Sequence, residues 1–288
     1  MVTNESLEGT SIMSSGMYEV GTTRRRLSLV LPAFNEEAGI QTAIAEAHEA
    51  LASLDYDFEI VVVDDGSSDR TAEMVREIAA LQPAVRLIQH VVNRGYGAAL
   101  RTGFEDARFD LVAFTDADGQ FFLEDLDRLV PLTDEHPIAV GYRIDRQDPW
   151  RRRFFSWGYN KIVRCLLGTG VRDCDCALKV FRREVLPFLL PETNGFFVNS
   201  EMLCKARRLG LGIAEAGVRH RSRRHGSSKV SLRDIPHTLS QLLPFWWTQV
   251  LWSRRPEPLP VPMPFMRIHS ASKSADIPLL SLAGFKRS

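Results

Sequence analysis

Four short apolar runs, each ending in a polar cluster and each followed by a stretch of helical periodicity, set the strongest limit on what this chain can fold into. The runs are Leu27–Pro32, Phe58–Val63, Val85–His90 and Leu111–Thr115. Continuous apolar runs of this length read as strands buried on both faces. After the first run a helix is expected, capped by Asn35, Glu36 or Glu37 and burying Ile44, Ala47 and Leu51. Thr71 to Leu81 reads as a second helix with Met74, Val75 and Ile78 inward, and Ala98 to Ala107 as a third. Leu123 to Thr133 reads as a fourth. Strand and helix alternate, so the expected class is α/β: a mainly parallel central sheet with right-handed crossovers and helices on its faces.

In such sheets ligands bind at the carboxyl ends of the strands. Every polar cluster falls there: Pro32 to Glu36, Asp64 to Asp69, Asn93 to Gly97, and Asp116 to Gln120. No G-x-G-x-x-G follows the first strand and no G-x-x-x-x-G-K-[ST] occurs, which disfavours a dinucleotide site and a P-loop. The stretch Phe114-Thr-Asp-Ala-Asp-Gly-Gln-Phe121 carries the sharpest chemistry. Asp116 and Asp118 are spaced i, i+2, so on extended backbone they point to one side. Two carboxylates converging at the end of a buried strand need positive charge nearby. A hard divalent cation, Mg²⁺ or Mn²⁺, with phosphate oxygens completing its shell would provide it. The ordinary alternative is an acidic turn after a strand.

The 288 residues carry no net charge, so no global field selects a nucleic acid, and none is expected as a partner. The charge is unevenly placed: Arg143 to Arg164 holds seven basic and two acidic residues, and Arg219 to Asp234 six and one. This asymmetry suggests an anionic partner on one side. Four cysteines without zinc-site spacing read as reduced thiols of a cytosolic protein. Residues 1–25 form a polar lead-in with no apolar signal segment, expected to be disordered. The catalytic domain is expected over 26–235, an amphipathic membrane-interface helix over 236–255, and a disordered tail over 256–288.

Leu31-Pro-Ala-Phe-Asn-Glu36, Val63-Asp-Asp-Gly-Ser-Ser-Asp69, Asn93-Arg-Gly-Tyr-Gly-Ala-Ala-Leu-Arg101 and Asp116-Ala-Asp-Gly-Gln120 resemble, in order, the motifs of family 2 glycosyltransferases of the GT-A fold. Their spacing is most similar to the dolichol-phosphate mannosyltransferase branch, which includes bacterial polyprenyl-phosphate glycosyltransferases. The likeness covers about residues 27 to 235. Asp173-Cys-Asp-Cys-Ala-Leu-Lys-Val-Phe-Arg-Arg183 resembles a further motif, with Ala177 and Leu178 where Gly and Phe are usual. Phe196-Phe-Val-Asn-Ser-Glu201 resembles another, with Asn199 in place of Asp, and Arg223-Arg-His-Gly-Ser-Ser-Lys229 matches R-x-x-G-x-S-K in full.

The resemblance implies that Asp116 and Asp118 hold the metal on a donor diphosphate, with Gln120 assisting near the donor phosphates or sugar. It implies that Pro32, Phe34, Asn35 and Glu36 line the nucleoside pocket, that Asp65 accepts from the base edge, and that Arg94 joins the donor site. Arg143, Arg223, Ser228 and Lys229 are implied as the clamp for an acceptor phosphate. The implied reaction is inverting transfer of a hexose from GDP- or UDP-sugar to a polyprenyl phosphate, by an enzyme peripheral on the inner, cytoplasmic membrane face. One alternative is a family 2 enzyme acting on a sugar hydroxyl, with Glu201 or Asp173 as base; another is a non-catalytic lipid-phosphate-binding protein. Trp150 to Leu167 suits an interfacial helix or a core helix with a basic outer face. Leu239 to Trp252, with Trp246, Trp247 and Trp252, is too short to span a bilayer and suits its interface.

Overall fold

In the computed structural model, residues 24–144, 150–195, 197–222, 240 and 242–252 are described. The first half alternates as the sequence predicts: β1 (Arg26–Ala33), α1 (Ile40–Ser53), β2 (Asp57–Asp64), α2 (Thr71–Leu81), β3 (Val85–Gln89), α3 (Tyr96–Asp106) and β4 (Leu111–Phe114). Then come α4 (Leu126–Leu129), β5 (Ile138–Ile144), α5 (Trp150–Leu167), β6 (Lys179–Arg182), α6 (Leu186–Leu189), α7 (Val198–Arg208) and β7 (Ile213–Arg219). One seven-stranded sheet takes the order β3-β2-β1-β4-β6-β5-β7. β1 pairs in parallel with β2 and β4, and β2 with β3. β6 runs antiparallel between β4 and β5, while β7 is parallel to β5.

The central strands are buried on both faces because helices cover them. Leu27, Leu29, Val30 and Leu31 of β1 and Ile60 to Val63 of β2 are at most 1% exposed. Each such side chain contributes about 1.5–3 kcal/mol relative to exposure. α3 lies so close to the sheet that a Cβ at Gly103 would meet Val30 Cγ1 at 2.3 Å. The parallel registers align the strand ends, with Ala33 opposite Asp64 and Val30 opposite Phe114. The residues that follow these ends therefore share one edge.

Two local expectations are corrected. The segment Leu123–Thr133 is not one helix: a 3₁₀ turn (Leu123–Asp125), the single α turn α4 and a second 3₁₀ turn (Val130–Asp134) follow one another. Pro131 lacks the N–H that would continue an α-helix. Nor do Asn35, Glu36 and Glu37 cap α1 with their side chains; the helix starts behind Gly39 without a side-chain cap. They brace the β2–α2 loop instead. Asn35 adopts a left-handed φ of 50°, and its Oδ1 accepts from Ser68 N at 2.9 Å. Glu37 Oε2 accepts from Arg70 N at 3.1 Å.

The sequence reading left β5, β6 and β7 unassigned, and they complete the sheet. α5 has one inward face, with Asn160, Val163 and Leu167 buried, and an outer one with Lys161 and Arg164, as the core-helix alternative expects. A π-helical turn, Trp246–Trp252, lies against α5. Leu242 just before it is fully buried, whereas Trp247 and Trp252 are 55% and 78% exposed. No helix among the described residues is long and apolar enough to cross a membrane.

Candidate active site

Phe114, fully buried at the end of β4, delivers the chain into Asp116-Ala-Asp118-Gly. Ala117 is 4% exposed between two partly exposed carboxylates; β4 has ended at Phe114, so Ala117 and Asp118 form a turn and not a further step of the strand. Gly119, at φ 66°, turns the chain back. The turn is held from within and from afar. Gln120 N donates to Asp118 Oδ1 at 3.0 Å, and Tyr96 Oη donates to Asp116 Oδ1 at 2.8 Å. Burial and the facing Asp116 carboxylate push the Tyr96 phenol well above its ordinary range, so it stays a proton donor.

The segment after β7 clamps the same turn. Phe121 and His220 form an antiparallel bridge, and Arg221 N donates to Gln120 O at 2.9 Å. The Arg221 guanidinium donates to Gly119 O and to Glu46 Oε2 on α1. Gln120 Nε2 donates to Arg221 O at 3.3 Å, so that its side chain serves this tie. A small cleft beside the turn is lined by Glu36, Thr42, Glu46, Asp118 and Arg221 among others. Arg221, Glu46 and Tyr96 were not singled out from sequence. Only Tyr96, inside the Asn93–Gly97 motif, carried a local signal.

The remaining expected residues divide. Pro32 is buried in β1, with Phe34 and Glu36 partly buried and Asn35 exposed just beyond its end, beside the Ser67–Ser68 turn. Glu36 N donates to Thr71 Oγ1 at 2.8 Å. Asp65 has three partners within the chain. Its Oδ1 accepts from Arg94 N at 2.9 Å and meets His90 Nδ1 at 2.7 Å, while its Oδ2 accepts from Gly95 N at 2.8 Å. At 3% exposure it shapes the Asn93–Gly97 loop, in which Gly95 takes φ 95° and has no room for a Cβ, only 2.5 Å from Asn194 O. Arg94 contributes its backbone there and remains exposed. The neighbouring Asp64 is fully buried, and its Oδ2 has no hydrogen-bond partner.

Arg143 does not stand ready for a phosphate. Its Nε and Nη2 donate to Asp173 at 2.7 and 2.8 Å in a pair about nine-tenths buried. Burial opposes its charge, but the Asp173 hydrogen bonds outweigh this and raise its pKa. Asp173 is thereby occupied too. Glu201, also fully buried, accepts from Glu192 N (2.7 Å), Thr193 N (3.0 Å), Thr193 Oγ1 (2.6 Å) and Lys205 Nζ (2.8 Å). Burial alone would raise its pKa; the N–H donors, led by Glu192 N, turn the net shift downward. Both carboxylates offered as a base for a hydroxyl acceptor are thus held in ion pairs within the chain. Arg223, Ser228 and Lys229 lie outside the described residues.

The two aspartates fit a hard divalent cation bound together with a diphosphate. They could supply two anionic oxygen ligands, and among the described residues no cluster of three or more His, Cys, Asp or Glu could enclose an ion by itself.

Residues 28–189 match the model of the family "Glycosyl transferase family 2". The chain is 35% identical over 221 residues to undecaprenyl-phosphate 4-deoxy-4-formamido-L-arabinose transferase of Edwardsiella ictaluri, covering 75% of this chain and 66% of that one. It is 36% identical over 234 residues to glycosyltransferase AglD of Haloferax volcanii, covering 77% and 37%. It thus spans about two thirds of the first relative and little over a third of the second. Glucosyl-3-phosphoglycerate synthase of Mycobacterium tuberculosis, crystallised with Mn²⁺, UDP-glucose and phosphoglyceric acid, superposes with a TM-score of 0.59 at 27% identity, covering 78% and 79%. The family match spans β1 to α6, the aspartate turn included, and the sheet is shared with a solved glycosyltransferase: this chain belongs to glycosyl transferase family 2 and has the GT-A fold.

Proposed function

We propose that this chain transfers a hexose, with inversion, from a nucleoside-diphosphate sugar to a polyprenyl phosphate at the cytoplasmic face of a membrane. One observation carries the choice of acceptor. The carboxylates that a hydroxyl acceptor would need as base, Glu201 and Asp173, are engaged in buried ion pairs. A phosphate acceptor has a second pKa of about 6 and arrives already charged, so it needs cations rather than a base. The relatives named for undecaprenyl phosphate support the same acceptor class.

In this reading Asp116 and Asp118 hold Mg²⁺ or Mn²⁺, which when bound neutralises charge on the departing nucleoside diphosphate. Tyr96 orients Asp116, and the Gly119 turn, tied by Arg221 to α1, holds Asp118 at the cleft. The nucleoside lies over Pro32 to Glu36. Arg223, Ser228 and Lys229 grip the acceptor phosphate, without Arg143. Exposed Trp157, Trp247 and Trp252 rest at the lipid interface, where amphipathic rings are favoured.

Arg223→Ala tests the acceptor half. Losing a charge-assisted contact of about 1.5–3 kcal/mol should cut kcat/KM for a short polyprenyl phosphate roughly 10- to 150-fold, with donor affinity unchanged. Equal losses for donor and acceptor would refute the clamp. Thermal-shift titration with UDP, GDP and their sugars, with and without Mn²⁺, tests the donor half. No metal-dependent shift would favour the non-catalytic alternative.

A further inference from the structure

His90 is buried just past the end of β3, and both of its ring nitrogens have partners. Nδ1 lies 2.7 Å from Asp65 Oδ1, and Nε2 lies 3.0 Å from Thr102 Oγ1 on α3. The His90 and Asp65 side chains are each 5% exposed. Asp65 in turn accepts from the next loop, Arg94 N at 2.9 Å on Oδ1 and Gly95 N at 2.8 Å on Oδ2. One run of hydrogen bonds thus leads from α3 through the end of β3 to the Arg94–Gly95 backbone.

The directions follow from donor counting. A carboxylate only accepts, and each oxygen of Asp65 already takes a backbone N–H. Nδ1 therefore carries the proton of its bond to Asp65. In a neutral ring Nε2 then accepts, and the Thr102 hydroxyl donates to it. A flipped ring would put carbon at both positions, so the two contacts together fix its orientation. The ring stands on the sheet and not on the loop, because His90 N donates to Asp64 O at 2.9 Å.

Three loops meet at this point. A Cβ on Gly66 would lie 2.5 Å from Val92 C and 2.6 Å from Asn93 N, so the β2–α2 loop rests directly on the β3–α3 loop. Asn35 Oδ1, accepting from Ser68 N, joins the loop after β1 to the same pair. On its far side the β3–α3 loop is held by Gly97 N, which donates to Asn194 O at 2.9 Å.

We propose that His90 is a positioning residue for the donor site: it orients Asp65, which holds the Asn93–Gly97 loop against the two loops that line the nucleoside pocket. The inference rests on the reading of this sheet edge as the nucleotide site.

The test contrasts two amides. The side-chain nitrogen of Asn falls near the place of a histidine Nδ1, and that of Gln near the place of Nε2. His90→Asn therefore keeps the N–H on Asp65 and leaves a small cavity, while His90→Gln keeps the volume better and loses that N–H. Binding of UDP or GDP with Mn²⁺, whichever nucleotide the wild-type protein takes, is measured by calorimetry. His90→Gln should weaken it about tenfold or more, the cost of a lost hydrogen bond to a buried carboxylate, and amide exchange in the Asn93–Gly97 loop should quicken. His90→Asn should bind as wild type does, even with a lowered Tm. A packing role predicts the reverse order, and unchanged affinity in His90→Gln or an equal loss in His90→Asn would overturn the proposal. Should either variant fail to fold, nitrogen resonances of histidine-labelled wild-type protein decide: the proposal requires a proton on His90 Nδ1, and an unprotonated Nδ1 would overturn it. Wild-type protein that binds neither nucleotide would contradict the donor-site reading itself; normal binding with the wrong order of variants would contradict only the role of His90.

Discussion

Replacing Glu201 by Gln should produce a stability defect and not a chemical one. The carboxylate lies fully buried on α7 and accepts four hydrogen bonds, from two backbone N–H groups, a threonine hydroxyl and the Lys205 ammonium. Gln removes the charge that Lys205 pairs with and presents an NH₂ where an acceptor is required. Breaking a buried ion pair by neutralising one partner costs about 3–5 kcal/mol. Lys205 keeps 17% side-chain exposure and can rehydrate, so the lower end, about 3 kcal/mol, applies. For a domain of this size that is a fall in Tm of about 6–12 °C. The pH dependence has a definite sign. The folded pKa of Glu201 lies below its ordinary value, so the stabilisation is fully present above the unfolded pKa of about 4.3 and is lost as pH falls through the folded pKa. The Tm difference between wild type and Glu201→Gln should therefore be constant from neutral pH down to about 5 and shrink in more acid solution. Thermal unfolding by circular dichroism across that range, with sugar transfer measured well below both Tm values, checks it. An unchanged Tm with transfer lost more than about 100-fold would refute the reasoning and restore Glu201 as a base.

Asp118→Asn should leave the fold intact and reduce turnover below about a tenth of wild type with Mn²⁺ present, since one anionic ligand is lost from a surface turn; binding of Mn²⁺ with nucleotide, measured in parallel, should fall with it. Arg143→Met should lower Tm through the stranded Asp173 carboxylate, by about 3–5 kcal/mol in unfolding free energy, and leave the acceptor KM near wild type. A raised acceptor KM at unchanged Tm would return Arg143 to the phosphate clamp. Trp247→Ser with Trp252→Ser should weaken co-sedimentation with anionic liposomes and leave donor-induced thermal shifts unaltered; undiminished sedimentation would remove these rings from the interface.

How much could be read from residues alone depended on whether the signal was local. β1 to β4 are apolar runs, and each lies within a residue or two of its expected place. β6 was missed because two of its four residues are Lys179 and Arg182, which no hydrophobic pattern marks as buried. Each is carried inside by oxygen acceptors, Lys179 by the nearby carbonyls of Cys174 and Cys176 and by Asn199, Arg182 by the remote carbonyls of Thr133 and Asp134. The aspartate pair was legible as two carboxylates closing an apolar run, although the backbone there turns where extended chain was expected. Two expected site residues have partners elsewhere in the chain that no local pattern shows. Asp65 is occupied by His90 and the Arg94–Gly95 backbone, and Arg143 by Asp173 thirty residues later. A charged group in a motif looks the same in sequence whether its partner is a ligand or another part of the chain. Tyr96 shows the converse, since its bond to Asp116 arises where the fold brings α3 beside the end of β4.

The central claim is the acceptor, and it is tested most directly by transfer of labelled sugar from the nucleotide-sugar that the protein binds, offered in parallel to short polyprenyl phosphates and to free saccharides in the presence of Mn²⁺. The account predicts label in the lipid-phosphate product, with the anomeric configuration inverted relative to the donor, and none in the saccharides. Label appearing in saccharides alone would contradict it.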